Sequence, residues 1–118
     1  MAAARILLVD DEAPLLDLLK RYLERLGYEV EACLDPAQAL ERFEANPAGY
    51  SLVLTDLTLP GMSGDQMLAR MRARLPKLRA IVASGYPYEP PNKRTGFLQK
   101  PFLPKMLAEQ IEQILKAG

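Results

Sequence analysis

Acidic side chains end two apolar runs of this sequence. "RILLVDDE" closes with Asp10 and Asp11, and "LVLTDLTLPGMSG" leaves a lone Asp56 ahead of a loop that contains proline and glycine. The chain contains no histidine, which removes phosphohistidine carriers, histidine nucleophiles and most zinc sites from consideration. If this protein transfers a phosphoryl group, a carboxylate side chain must carry it. We therefore predict that Asp56 is a phosphoryl acceptor.

Two more polar residues end apolar runs: Ser84 closes "RAIVAS", and Lys100 follows "GFLQ". If the runs are parallel strands, all these residues meet at the carboxyl edge of one sheet. Three carboxylates there would repel one another, by roughly 4 kcal/mol for each pair about 4 Å apart at an effective dielectric near 20. Lys100 supplies one positive charge and a divalent ion would supply the rest; oxygen-only ligands favour Mg²⁺. Lys100 would pair with the transferred phosphoryl group, and Ser84 would donate its hydroxyl to it.

Each residue also has an ordinary structural interpretation. Taken singly, Asp56 and Ser84 are typical of turns, Asp10 and Asp11 of the first turn of a helix, and Lys100 of a solvated surface. What favours a site is that several strands would deliver chemically complementary groups to one edge.

The elements that must position these groups are apolar runs alternating with helical patterns. The apolar runs are "RILLV", "SLVLTD", "RAIVAS" and "GFLQ", and "YEVEAC" is a further strand pattern that alternates like an exposed edge strand. The first helical stripe consists of Leu15, Leu19, Tyr22, Leu23 and Leu26. Pro14 suits its first turn and Gly27 its end, and Ser63 with Gln66 predicts a capping box for the third helix. This alternation predicts an α/β fold with a parallel sheet, helices on both faces and a ligand crevice at the carboxyl ends of the strands.

The segment between Ser84 and Gly96, "GYPYEPPNKRT", departs from this alternation. Three prolines, Pro87, Pro90 and Pro91, make a regular helix there improbable. We expect the fourth helix to be shortened or absent.

Composition limits the domain organisation, partners and cellular location that this chain can have. The chain has 118 residues, with 15 basic and 15 acidic side chains, and no basic stretch interleaved with aromatics. We expect one domain over residues 1–118, no direct contact with nucleic acid, and any output domain on another chain. The single cysteine, Cys33, excludes an internal disulfide and is expected to be a small buried side chain. The early acids do not fit a signal peptide, and no run is long enough to span a bilayer, so we expect a cytoplasmic location and no membrane contact.

At "LLVDDE", "LVLTDLTLPGMSG", "ASGY" and "GFLQKPF" the chain resembles the receiver domain of two-component response regulators, over essentially its whole length. The resemblance implies a flavodoxin-like, doubly wound, five-stranded parallel sheet of order 2-1-3-4-5. Its residue assignments are Asp56 as the phosphorylation site, Asp10 and Asp11 as the Mg²⁺-binding acids, Thr58 as a further ligand through its backbone carbonyl, Ser84 and Lys100 as phosphoryl-sensing residues, and Phe97 as the aromatic switch. It also implies a cis Lys100–Pro101 bond.

The same resemblance implies how the domain works. A histidine kinase or phosphotransfer protein donates the phosphoryl group, Ser84 moves toward it, and Phe97 turns into the vacated space. Phe97 has no hydroxyl, so packing alone would have to carry this signal. The proline-rich segment replaces most of the fourth helix, which in many regulators is part of the face through which they dimerise, and we expect a monomer or weak dimer. It is reminiscent of receivers attached to hybrid sensor kinases.

Two other functions remain open. One is a receiver-like interaction module without phosphorylation. Such a module would usually lack one of the acids or the lysine, and this chain has all of them. The other is an aspartyl-phosphate phosphohydrolase; such enzymes commonly place a second acid two residues after the nucleophile, where this chain has Thr58. The chain is therefore expected to be a phosphoacceptor signalling domain and not an enzyme acting on an external substrate.

Overall fold

A computed structural model describes residues 3–116 of the chain. Over that range it contains a single five-stranded parallel sheet of order β2-β1-β3-β4-β5. The strands are β1 (Arg5–Val9), β2 (Glu29–Cys33), β3 (Leu52–Asp56), β4 (Ala80–Ser84) and β5 (Thr95–Gln99). The helices are α1 (Ala13–Arg25), α2 (Pro36–Ala45), α3 (Gly64–Arg74) and α4 (Pro104–Lys116), with a short 3₁₀ turn at Pro47–Gly49. The predicted flavodoxin-like order is confirmed.

The sheet is covered on both faces, which explains why its central strands are apolar runs without alternation. Leu7 and Val9 of β1 point into the core that α2 and α3 close. Ile6 and Leu8 point to the other side, into the core closed by α1 and α4. Successive side chains of the strand thus point into the cores on opposite faces of the sheet.

Local signals in the sequence set the helix ends. Asp35 caps α2 by accepting a hydrogen bond from the Gln38 amide at 2.8 Å. Ser63 and Gln66 form the predicted capping box at the start of α3. Gly27, just after α1, has a φ of 98°, a conformation that strongly favours glycine.

No helix forms between β4 and β5; residues 85–94 consist of bends, a turn and backbone without regular secondary structure. The expectation that the fourth helix would be shortened or absent is therefore confirmed, and α4 follows β5. Proline at 87, 90 and 91 explains this, because proline lacks the amide hydrogen that a helix interior requires. Among the helices within residues 3–116, none is long and apolar enough to cross a membrane.

Candidate functional site

The three acids predicted from the sequence lie together at the carboxyl edge of the sheet. Asp56 is the last residue of β3, while Asp10 and Asp11 directly follow β1. Carboxylate oxygens of the three lie within 4.8 Å of one another. Asp10 is 4% exposed and its Oδ1 accepts a hydrogen bond from the Glu12 amide at 2.8 Å, whereas Asp11 is exposed. The cluster therefore has a buried side and an open side.

Lys100 enters this cluster from the end of β5. Its Nζ lies 3.2 Å from Asp10 Oδ2, 3.3 Å from Asp56 Oδ2 and 4.0 Å from Glu12 Oε1. The backbone amide of Lys100 donates to the Ser84 carbonyl at 2.8 Å, which ties the start of the β5–α4 loop to the end of β4. The Lys100–Pro101 bond is cis, as the resemblance to receiver domains implies. One ammonium thus bridges two of the three carboxylates.

The electrostatics of the cluster follow from burial and proximity. Burial raises the pKa of Asp56; Lys100 opposes this shift, while Asp10 and Asp11 add to it, and the net direction is upward. For Lys100, burial alone would lower the pKa, but the charges of Asp10 and Asp56 and their hydrogen bonds raise it above its ordinary value. The lysine is therefore a fixed positive charge at neutral pH, while ionisation of the Asp56 carboxyl carries a cost.

Ser84 lies beside the acceptor strand. It is the last residue of β4, which pairs with β3 in a register that places Ala83 opposite Asp56. The side chain is buried, and its Oγ accepts a hydrogen bond from the Tyr86 amide at 3.0 Å. The hydroxyl hydrogen is thus available to another acceptor.

Thr58 and Phe97, the two remaining residues assigned from the resemblance, lie in a loop and in a strand. Thr58 is exposed in the loop that follows β3, two residues beyond Asp56. Phe97 is half-buried in β5, opposite Val82 of β4, and its ring lies 5.9 Å from that of Tyr88. The carbonyl ligand assigned to Thr58 and the switch role assigned to Phe97 stay predictions.

Sequence reasoning gave no role to Gly64, the first residue of α3. A Cβ built on Gly64 would overlap the carbonyl oxygen of Asp56, and its amide donates to the Leu57 carbonyl at 2.8 Å. A glycine directly after the capping serine was the available signal. The absence of a side chain there lets α3 begin against the backbone of the acceptor residue.

The donor set is compatible with Mg²⁺. Within the described part of the chain the clustered ligands are carboxylates only, with neither a thiolate nor an imidazole among them. Hard oxygen ligands of this kind suit Mg²⁺ or Ca²⁺ rather than zinc or copper. Beside the cluster, a cleft of about 310 Å³ is lined by Glu12, Leu15, Lys100, Pro101 and Phe102. Lys100 is therefore reachable from solvent through this cleft.

Comparison with known proteins agrees with this geometry. The family model for the response regulator receiver domain matches residues 6–112. The chain is 32% identical over 120 residues to the response regulator receiver protein CpdR of Brucella abortus (strain 2308), covering 97% of this chain and 98% of CpdR. Identity to the sensor kinase CckA of the same strain is also 32% over 120 residues, but the chain spans only 13% of that kinase.

A solved structure matches nearly the whole fold. The receiver domain of the hybrid histidine kinase CckA superposes with a TM-score of 0.87 and 34% identity, over 96% of this chain and 100% of that domain. The family model, a relative of equal length and a superposition at this identity all lead to one assignment. The chain belongs to the response regulator receiver domains, the phosphoacceptor modules of two-component signalling.

Proposed function

We propose that Asp56 accepts a phosphoryl group from the phosphohistidine of a histidine kinase or phosphotransfer protein. The observation that carries this proposal is the Lys100 ammonium, 3.3 Å from Asp56 and 3.2 Å from Asp10 within the acid cluster. A carboxylate oxygen of Asp56 forms a bond to phosphorus as the bond from phosphorus to the donor's imidazole nitrogen breaks. The imidazole leaves with the electron pair, so the transfer needs no further co-reactant.

The side chains of Asp10, Asp11 and Asp56, with the backbone carbonyl of Thr58, would hold Mg²⁺. When bound, the ion neutralises charge on the phosphoryl oxygens. The supporting observation is the clustering of the three carboxylates. Asp10 is further fixed by the hydrogen bond from the Glu12 amide, which orients its carboxylate before any ligand arrives.

Lys100 and Ser84 would recognise the transferred group. Before transfer, the ammonium pairs with Asp56 as well as with Asp10. After transfer, the Asp56 side chain is an acyl phosphate whose negative charge lies on the phosphoryl oxygens, so Lys100 would pair with them instead of with the Asp56 carboxylate. Ser84 would donate its hydroxyl to another of these oxygens. Phe97 would then turn toward the space that Ser84 leaves, and the protein-interaction face would change with it.

The partner and the cellular setting belong to the same proposal. A protein that carries phosphohistidine is the expected donor, the location is cytoplasmic, and residues 1–118 form one receiver domain that is a monomer or weak dimer. The domain would catalyse its own phosphorylation and dephosphorylation rather than the turnover of an external substrate. Contact with nucleic acid is not part of this function.

The test is to incubate the protein with Mg²⁺ and acetyl phosphate and then to measure its intact mass. We expect one added phosphoryl group, lost in Asp56→Asn and when Mg²⁺ is removed with EDTA. The matched control is Asp17→Asn, because Asp17 is exposed on α1 and pairs with Arg21 outside the cluster.

The two rival functions predict different outcomes in the same experiment. An interaction module without phosphorylation would show no uptake by the wild-type chain. A phosphohydrolase would release phosphate through many turnovers; the hydroxyl of Thr58 cannot serve as the carboxylic acid that such enzymes place there.

A further inference from the structure

Tyr88 stands apart from the rest of the loop that joins β4 to β5. Over residues 85–94, Tyr88 and Arg94 are half-buried and the remaining residues are exposed; Tyr88 packs against the core between the sheet and α3. The loop has no helix to hold it in place. Tyr88 therefore anchors the middle of this segment to the domain.

Two contacts hold the Tyr88 side chain. Its hydroxyl donates a hydrogen bond to Asp65 Oδ1 at 2.6 Å. Its ring meets the ring of Phe97 at a centroid distance of 5.9 Å and an interplanar angle of 44°, a tilted aromatic contact. A phenol hydroxyl that bonds a carboxylate is a charge-assisted hydrogen bond, which is stronger than a neutral one.

The same loop is tied to the residue that would sense the phosphoryl group. The amide of Tyr86 donates to Ser84 Oγ at 3.0 Å, so the loop backbone is attached to the serine hydroxyl itself. Tyr88 is two residues further along. A shift of Ser84 Oγ toward the acceptor would pull the Tyr86 amide and displace Tyr88 from its contacts.

Asp65 lies on the segment that leads from the acceptor. It follows Gly64, whose amide bonds the Leu57 carbonyl and whose Cα is packed against the carbonyl of Asp56. The Tyr88–Asp65 bond therefore joins the segment after Asp56 to the segment after Ser84. These are the two segments that phosphorylation would draw into a new relative position.

We propose that the Tyr88–Asp65 hydrogen bond is a latch that holds the resting position of loop 85–94 and opens when Ser84 engages the phosphoryl group on Asp56. Tyr88 then supplies the hydroxyl that Phe97 lacks, and the switch is read by a hydrogen bond as well as by packing. This inference rests on the proposed function. Tyr88 is a positioning residue, since it does not touch the reacting atoms.

Thermodynamic linkage gives the latch a measurable consequence. A bond made only in the resting state opposes phosphorylation, so removing it must favour the phosphorylated conformation by the same free energy. Tyr88→Phe deletes the hydroxyl and keeps the ring. In the presence of Mg²⁺, beryllium fluoride, which mimics a phosphoryl group on a carboxylate, should bind Tyr88→Phe on the order of 5-fold more tightly than the wild type.

Isothermal titration calorimetry measures this, with Tyr86→Phe as the matched control. Tyr86 lies in the same loop but is 76% exposed, so the control should bind as the wild type does. Asp65→Ala should also tighten binding, and in the Tyr88→Phe background it should add nothing, because both substitutions remove one bond.

The outcomes separate this inference from the function on which it rests. Suppose that the wild type binds beryllium fluoride, that Asp56→Asn does not, and that Tyr88→Phe and Tyr86→Phe bind it with equal affinity. This result overturns the latch and leaves the phosphoacceptor role standing. A lower melting temperature of Tyr88→Phe without a change in affinity also overturns it, since a purely structural tyrosine would behave in that way. No binding by the wild type overturns the proposed function and the latch together.

Discussion

Gly64 lies against the carbonyl oxygen of Asp56 with no room for a side chain between them. The contact sets how close the start of α3 comes to the end of β3, and with it the path of the loop at 57–63. The loop is short and turns at Gly61, whose φ is 82°. A residue at the beginning of a helix thus controls the backbone of the acceptor.

Replacement of Gly64 by alanine should therefore weaken both fold and function. The added methyl group must displace backbone rather than a flexible side chain, which costs about 2 kcal/mol of the free energy of unfolding. Phosphorylation by acetyl phosphate should slow, because Asp56 moves. Urea denaturation and intact mass measure the two effects. Gly85→Ala is the matched control, since a Cβ there meets nothing within 4 Å; an equal loss in both variants would contradict the explanation.

Lys100 competes with a divalent ion for the same acids, so Lys100→Gln should bind Mg²⁺ more tightly. Its ammonium lies 3.2 Å from Asp10 and 3.3 Å from Asp56, and removing one positive charge at this range should raise Mg²⁺ affinity on the order of 10-fold. The lysine's pairing with the phosphoryl group would be lost at the same time. Calorimetric titration with Mg²⁺ measures the affinity. Lys20→Gln serves as the control because Lys20 pairs with Glu24 on the exposed side of α1; unchanged or weaker binding by Lys100→Gln would exclude this competition.

Much of the fold and the site could be predicted because regular elements carry local signals. The run ending at Asp56 has the composition of a strand buried on both faces, and in a parallel sheet such strands must deliver their last residues to one edge. The convergence of Asp10, Asp11, Asp56 and Lys100 followed from that rule without knowledge of any contact. Prolines in the segment after Ser84 likewise signalled the missing helix.

The residues that prediction missed lie where periodicity ends. Leu26 continues the helical spacing of α1 but is 51% exposed, because the helix ends at Arg25 and the residue beyond it no longer faces the sheet. Tyr88 lies in an irregular loop, where no repeat in the sequence indicates which side chain points inward. The expectation that packing alone carries a signal at Phe97 stays a prediction, and the Tyr88 hydroxyl is the alternative proposed above.

Cys33 should react slowly with thiol reagents in the folded protein. Burial raises the pKa of its thiol to about 11; Arg42 opposes the shift, and Glu31 and Asp35 add to it. At pH 8 the thiolate fraction is then about one thousandth, and the reaction should be on the order of 100-fold slower than for an unperturbed cysteine with a pKa of about 8.5. Absorbance after addition of a disulfide reagent gives the rate, and the chain unfolded in guanidinium chloride is the control. Equal rates in the two states would mean that the thiol is accessible and ordinary.

Asp56→Asn should stabilise the metal-free fold at neutral pH. Burial raises the pKa of Asp56, and Asp10 and Asp11 add to the shift while Lys100 opposes it. The folded state therefore binds the Asp56 proton more tightly than the unfolded state does. By linkage, the ionised carboxylate destabilises the fold fully above the raised pKa of the folded state. This penalty vanishes as pH falls below the pKa of the carboxyl in the unfolded chain, about 3.9. In EDTA the melting temperature of Asp56→Asn should thus exceed that of the wild type at pH 7, with the gain disappearing toward pH 3. Asp17→Asn should show no such gain, because Asp17 lies exposed beside Arg21. A lower melting temperature for Asp56→Asn at pH 7 would mean that the attraction of Lys100 outweighs burial and the neighbouring acids.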